Sequence, residues 1–213
     1  MSSLQAFPRA DGSVGIRNIV LVVSTVTCAN TVVNHIAWKT GAVPLTHERG
    51  CVEGEQSFRR TMLALTTFAK HPNVSGVLIV GLGCEQIRTL DLQVAIGGGK
   101  PVHAILIQEE GGSRKAVARG IAMVEAMLPL AEQCRRQPVS VSHLKIGLEC
   151  GGSDSFSGSS ANPALGRAID LLIKNGGTAV LTEPTELLGV EGALARRARS
   201  PEVAQKLIDV MHW

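Results

Sequence analysis

Tyrosine is absent from this sequence, and only four Phe and two Trp supply aromatic rings among its 213 residues. So few rings leave no set of platforms on which nucleic-acid bases could stack. Basic runs are missing too: a formal net charge of +3 is spread thinly, without the stripe of Lys and Arg that a phosphate backbone requires. Long apolar runs do not occur, and none approaches the roughly 20 residues of a membrane-spanning helix. The opening MSSLQAFPRADG has neither a charged leader nor an apolar centre, so it does not read as a secretory signal. There is no CxxC pair, and the cysteine count is five, an odd number. Without an export signal this pattern reads as reduced thiols in the cytoplasm, not as a disulfide framework. Nucleic acid and membrane are therefore not expected as partners. No internal repeat, low-complexity tract or interdomain linker is visible.

What is abundant is small and aliphatic. Hydrophobic residues make up 45% of the chain against 3% aromatic, so the core must be built from Val, Ile, Leu and Ala. Six short runs rich in these residues read as strands: NIVLVVS (18–24), AVPLT (42–46), SGVLIVG (75–81), VHAILIQ (102–108), KIGLEC (145–150) and TAVLTE (178–183). Most are continuously apolar, as expected of strands covered on both faces. Between them, Phe58, Met62, Leu65 and Ala69 recur at helical spacing, as do Val117, Ile121, Val124, Leu128 and Ala131, and then Leu165, Ile169 and Leu172. Ser200-Pro201-Glu202 signals the start of a last helix. Strands alternating with helices predict an α/β fold: a doubly wound, mostly parallel sheet of about six strands with helices on both faces. Residues 1–17 are read as an extension and 18–213 as one α/β domain.

In such a sheet ligands bind at the carboxyl ends of the strands, and the chemically capable residues of this chain gather there. Thr25 and Cys28 follow the first run, and His47, Glu48, Arg49 and Cys51 the second. Gly83, Cys84 and Glu85 follow the third, Glu109 and Glu110 the fourth, Cys150 to Asp154 the fifth, and Glu183 and Glu186 the sixth. Four of the five thiols share that placement; Cys134 lies near a helix end. Thiolates meeting at one point would select iron, an iron–sulfur cluster or zinc; the alternative is four small residues that never meet. His47 suits a metal ligand or a general base near neutral pH, or a structural loop histidine. Glu85 and Glu109 suit an acid or base, or else pair with Arg17, Arg49 or Arg60; those arginines could equally grip a substrate carboxylate in two-pronged fashion.

GLECGGSDSFSGSSANP (147–163) is the longest polar break. Asn162 reads as a helix cap and Pro163 as the first helical residue, after a wide loop of bare backbone. That layout suits an anion or a metal-held oxygen ligand, with a solvated linker as the alternative. Other motifs fail. GGGK (97–100) lacks the spacing and the Ser/Thr of a phosphate loop, GLGCEQ lacks a third glycine, and there is no GxSxG to make Ser153 or Ser157 a hydrolase nucleophile.

The blocks RADGSVGIRN, TVTCAN, THERGC, RTMLALTTFAKHPN, GLGCE, GLECGGSDSFSGSSANP and VLTEPTELLGVE, in that order along almost the whole chain, resemble the altronate dehydratase and galactarate dehydratase family of sugar-acid hydro-lyases. The resemblance covers roughly the first half of that family's large catalytic region. It implies further chain beyond Trp213, a small β-rich partner domain or subunit, and a homo-oligomer. It also implies dehydration of a hexonate or hexarate such as altronate or galactarate to a 2-keto-3-deoxy acid, dependent on Fe2+, an iron–sulfur cluster or another divalent metal. Carried onto this sequence, Cys28, Cys51, Cys84 and Cys150 are the expected metal ligands. His47, Glu85 and Asp154 are the candidate acid–base groups, and Arg17, Arg60, Gly151, Gly152 and Ser153 the substrate contacts. A binding module of a split enzyme and a sulfolactate-type sulfo-lyase subunit are the alternatives.

Overall fold

The computed structural model describes residues 3–152 and 154–212; Ser153, one of the expected substrate contacts, lies outside the described residues. The chain divides into two compact units, Leu4–Val139 and a second made of residues 1–3 and 140–213.

At the centre of the first unit is a four-stranded parallel sheet. Its strands are β3 (Ile19–Ser24), β4 (Val43–Leu45), β5 (Val74–Gly81) and β6 (Val102–Leu106), in the order β4-β3-β5-β6. Alternate residues of each strand feed opposite faces. Val20, Val22, Leu78 and Val80 pack with Ile36 of α1 (Asn30–Thr40) and Val124 of α4 (Ser113–Gln133). Leu21, Val23, Val77 and Ile79 pack with Leu65 of α2 (Glu55–Lys70) and Leu92 of α3 (Thr89–Ile96). Two cores back to back explain why these runs are continuously apolar rather than alternating. The doubly wound fold is as expected, and α2 and α4 carry the stripes read from their spacing.

Two expectations change. The parallel sheet has four strands rather than about six, because the fifth and sixth runs pair with each other. They form a separate two-stranded parallel sheet, β8 (Lys145–Leu148) beside β9 (Thr178–Leu181), in the second unit. Apolar runs report burial and strand preference, not the partner. Within the expected extension, residues 4–17 also carry regular structure. β1 (Ser3–Pro8) pairs antiparallel with β2 (Val14–Gly15), and this small sheet also takes in β7 (Gln137–Ser140). Arg9 and Asn73 fasten it: Arg9 Nε donates to the carbonyl of Pro72 at 2.7 Å, and the Asn73 Oδ1 accepts from the N–H groups of Ile16 and Arg17.

The second unit adds α5 (Asn162–Lys174), α6 (Glu191–Ala195) and α7 (Pro201–Met211). Ser200 caps α7 by accepting from Val203 N–H, as its sequence signal predicts. No described helix is long and apolar enough to cross a membrane.

Candidate functional site

The first unit's strand order makes its own crevice. The chain leaves β3 for β4 on one side and then returns to β5 on the other, so the carboxyl ends of β3 and β5 flank a switch point. The loop after β4 lies across that point. Gly50, at φ +107°, sits so close that a Cβ there would overlap the Thr25 carbonyl and the Val26 Cα. Thr27 N–H donates to the Arg49 carbonyl at 2.9 Å, and Gln86 N–H to the Gly50 carbonyl at 3.0 Å. The loops that bear Cys28, Cys51 and Cys84 are thus stitched together at one edge, and all three thiols are exposed.

His47 is held at both ring nitrogens. Nε2–H donates to the Ser24 carbonyl at 3.0 Å, while Nδ1 accepts from Arg49 N–H at 3.1 Å. A carbonyl can only accept, so this network assigns the neutral Nε2–H tautomer and leaves Nδ1 as the basic nitrogen. Glu85 is buried, and both carboxylate oxygens are engaged. Oε1 accepts from Thr25 Oγ1 at 2.8 Å and Leu82 N–H at 3.1 Å, and Oε2 from Gly83 N–H at 2.6 Å. These bonds close the turn after β5.

Beside His47 runs a groove of about 600 Å³, between the end of β4 and α2. Arg49, Ser57, Arg60 and Thr61 stand on its polar side, and Leu65 and Phe68 on its apolar side. Among the described residues neither arginine has a carboxylate partner within ion-pair distance. Of the two arginines expected to contact substrate, Arg60 lines this groove. Arg17 does not: it immediately precedes β3, at the opposite end of the sheet, so the two arginines cannot share one substrate through this groove.

The residue that sequence reasoning missed is Glu53. Its Oε1 accepts from Gly50 N–H at 2.8 Å, and its Oε2 from Ser57 Oγ at 2.6 Å and Thr61 Oγ1 at 3.0 Å. Burial alone would raise this carboxyl, but the bonds from Ser57, Gly50 and Thr61 and the charge of Arg49 outweigh it and hold the group below the usual carboxylate range. A signal was available in the spacing. Glu53, Ser57 and Thr61 recur every four residues, a polar stripe running from the loop into α2. Val52, between Glu53 and Cys51, is 96% exposed at φ +51°, a conformation β-branched residues seldom adopt. The loop is therefore held in a set shape from both sides.

In the second unit, Cys150 N–H donates to Glu183 Oε2 at 3.1 Å, which ties the end of β8 to the end of β9. Gly151 and Gly152 are exposed, and a Cβ at either would meet nothing within 4 Å. Asp154 Oδ1 accepts from Ser157 N–H at 2.7 Å and caps a helical turn that starts at Ser155. That corrects the expected helix start: Asn162 is not the cap, because a π-helical stretch, Ser157–Ala161, already leads into α5. Four of its five residues are Ser or Gly, weak helix formers, and the Asp154 cap upstream of them decides the boundary.

Soft thiols suit an iron-type cation, but among the described residues no group of three or more His, Cys, Asp or Glu side chains stands close enough to hold one. Cys28, Cys51 and Cys84 share an edge without forming a centre, and Cys150 belongs to the second unit.

Comparison with known proteins matches residues 6–132 to the D-galactarate dehydratase/altronate hydrolase second domain and residues 141–213 to the D-galactarate/altronate dehydratase C-terminal domain. The two matches fall one in each compact unit. An altronate dehydratase of Bacillus subtilis (strain 168) is 34% identical over 221 residues, covering 99% of this chain and 44% of the relative. A galactarate dehydratase (L-threo-forming) of Escherichia coli (strain K12) is 30% identical, covering 99% of this chain and 45% of the relative. The (2R)-sulfolactate sulfo-lyase subunit beta of Chromohalobacter salexigens is 31% identical, covering 94% of this chain and 51% of the relative. The chain spans about half the length of the curated relatives it matches. With both domain models satisfied in order, it belongs to the D-galactarate dehydratase/altronate hydrolase family.

Proposed function

We propose that this chain is part of a sugar-acid dehydratase that removes water from altronate, galactarate or a close relative to give a 2-keto-3-deoxy acid. The observation that carries the reading is the groove at the sheet's carboxyl edge, where Arg49, Arg60 and a tautomer-fixed His47 face one space of about 600 Å³. A linear hexonate or hexarate falls within the size range of such sites. Unpaired guanidinium groups suit its carboxylate, because the planar fork donates two parallel bonds.

The reaction must take the proton next to the carboxylate and release a hydroxide, as water, from the neighbouring carbon. Of the three candidate bases, Glu85 is committed to a buried turn and Asp154 to a helix cap. His47 engages its Nδ1 lone pair with only one exchangeable donor, Arg49 N–H, while a carbonyl orients the other nitrogen. We assign it the proton-accepting role. Arg49 and Arg60 hold the carboxylate whose charge grows as the enediolate forms. Ferrous iron, or another divalent metal or cluster, is the proposed cofactor; bound, it would add positive charge to stabilise the enediolate. Of its candidate ligands, Cys28, Cys51 and Cys84 share one edge of the first unit. A β-rich partner, the remaining length seen in the relatives, homo-oligomerisation and a cytoplasmic setting belong to the same proposal.

Anaerobic assay with ferrous iron, galactarate or altronate, and semicarbazide to trap the keto product is the test. Turnover is expected, and His47→Asn should reduce it by about 100-fold or more. Iron content per chain should fall in the Cys51→Ser and Cys84→Ser variants with the fold retained. The sulfo-lyase relative supports a second reading, release of sulfite from a three-carbon sulfonate, which sulfite detection would reveal. Failure on every one of these substrates, both alone and with the relatives' remaining length supplied, overturns the proposal.

A further inference from the structure

The GGGK motif, which fails as a phosphate loop, lines a second cavity of about 520 Å³ at the opposite end of the sheet. Val74 and Pro101, at the amino ends of β5 and β6, mark its position. Its polar wall carries three cations, Arg9, Lys70 and Lys100, against a single carboxylate, Asp11. Among the described residues none of the three is in an ion pair. Asp11 is turned toward its own loop, with Oδ1 accepting from Ser13 N–H at 2.9 Å and Ser13 Oγ at 2.7 Å.

Two of the three cations, Arg9 and Lys100, are fixed by hydrogen bonds. Lys100 Nζ donates to the carbonyls of Ala69 and His71, both at 3.1 Å, which leaves one N–H of its three unassigned. Arg9 donates through Nε to Pro72 O, through Nη1 to Asn18 Oδ1 at 2.8 Å and through Nη2 to Arg17 O at 3.2 Å, leaving two of five. Capping the end of α2 explains both bonds made by Lys100. It does not explain why two further cations face the same open space. Gly98 and Gly99 leave the wall clear, since a Cβ at either meets nothing within 4 Å. Burial pushes the Lys100 amine down to about 8, with Arg9 adding to the shift and Asp11 opposing it; Lys70 and Cys134 are the other titratable side chains lining the cavity.

We propose that this cavity is a binding site for a small oxyanion, a carboxylate or a phosphate, gripped by Arg9, Lys70 and Lys100. It is separate from the groove beside His47 and stands whether or not that groove takes a sugar acid.

The test is competitive acylation of lysines in the full chain near pH 8, mapped by peptide mass spectrometry, with millimolar inorganic phosphate or succinate present or absent. Free Lys100 should react readily there, because its amine titrates at about 8. A bound anion holds it protonated, so labelling should slow by about tenfold relative to Lys39 and Lys145 in the same digest. Protection by phosphate alone assigns a phosphate ligand, by succinate alone a carboxylate, and by both a general oxyanion site. Lys70 is exposed, so Lys70→Met should fold normally and lose most of the protection. Lys100 protected no more than Lys39 and Lys145, or protection unchanged in Lys70→Met, overturns the proposal.

Discussion

Glu85 and His47 show how differently two titratable side chains at strand ends can be employed. Glu85 accepts three hydrogen bonds at a buried turn, and Gly81 has no Cβ because one would overlap the Glu85 carboxylate. Glu85→Gln presents an amide N–H₂ to backbone donors, and urea unfolding should show a loss of about 1–3 kcal/mol. His47 instead lines a groove, its ring held by the Ser24 carbonyl at Nε2 and by Arg49 N–H at Nδ1. Lys100 adds a pH signature. Its folded value of about 8 lies below the ordinary 10.5, so the folded state binds that proton less tightly than the unfolded state does. The cost of the charged amine is full below pH 8 and is relieved as pH rises from 8 to 10.5. For a half-exposed side chain the screened gain is on the order of 1 kcal/mol. The stability of the wild type relative to Lys100→Met should rise by that amount from about pH 7 to about pH 10.

Among the elements, the loop from His47 to Glu53 is the one on which the site depends. It needs Gly50 at φ +107° against the end of β3, with Glu53 tying it to α2. Gly50→Ala should cost several times what a surface Gly→Ala change does, at least about 2 kcal/mol, because backbone rather than a flexible side chain stands in the way. Glu53→Gln should keep the fold yet loosen the loop, seen as faster amide exchange at Gly50 and Gln86. Composition showed that this loop follows a strand, and His47 and Arg60 stood out by residue type. The role of Glu53 was hidden because a carboxylate between a thiol and a helix start reads first as a helix-dipole partner. The start of α5 was missed for a related reason. Asn162-Pro163 is a strong local signal, but Asp154 caps the same helix two turns earlier.

At the scale of the molecule, the boundary at Val139 and Ser140 separates a doubly wound unit from one with a two-stranded sheet. No Pro- or Gly-rich linker marks it, because β7 and the short turn after it carry the chain across as regular structure. The doubly wound architecture was legible from six apolar runs; the membership of each run in a sheet was not, since pairing depends on contacts distant in sequence. Both large core clusters lie in the first unit. A fragment of residues 4–139 should therefore unfold cooperatively on its own, whereas Leu78→Ala in it should cost about 2–5 kcal/mol. Under the proposed function, the groove between β4 and α2 receives the carboxylate of a sugar acid. Calorimetric titration of galactarate into the wild type and into Arg60→Ala, whose side chain is exposed and takes no part in the core, tests it without requiring turnover. Binding that weakens by about tenfold or more in the variant is the predicted result; equal affinity in the two proteins, or no binding to either, would contradict it.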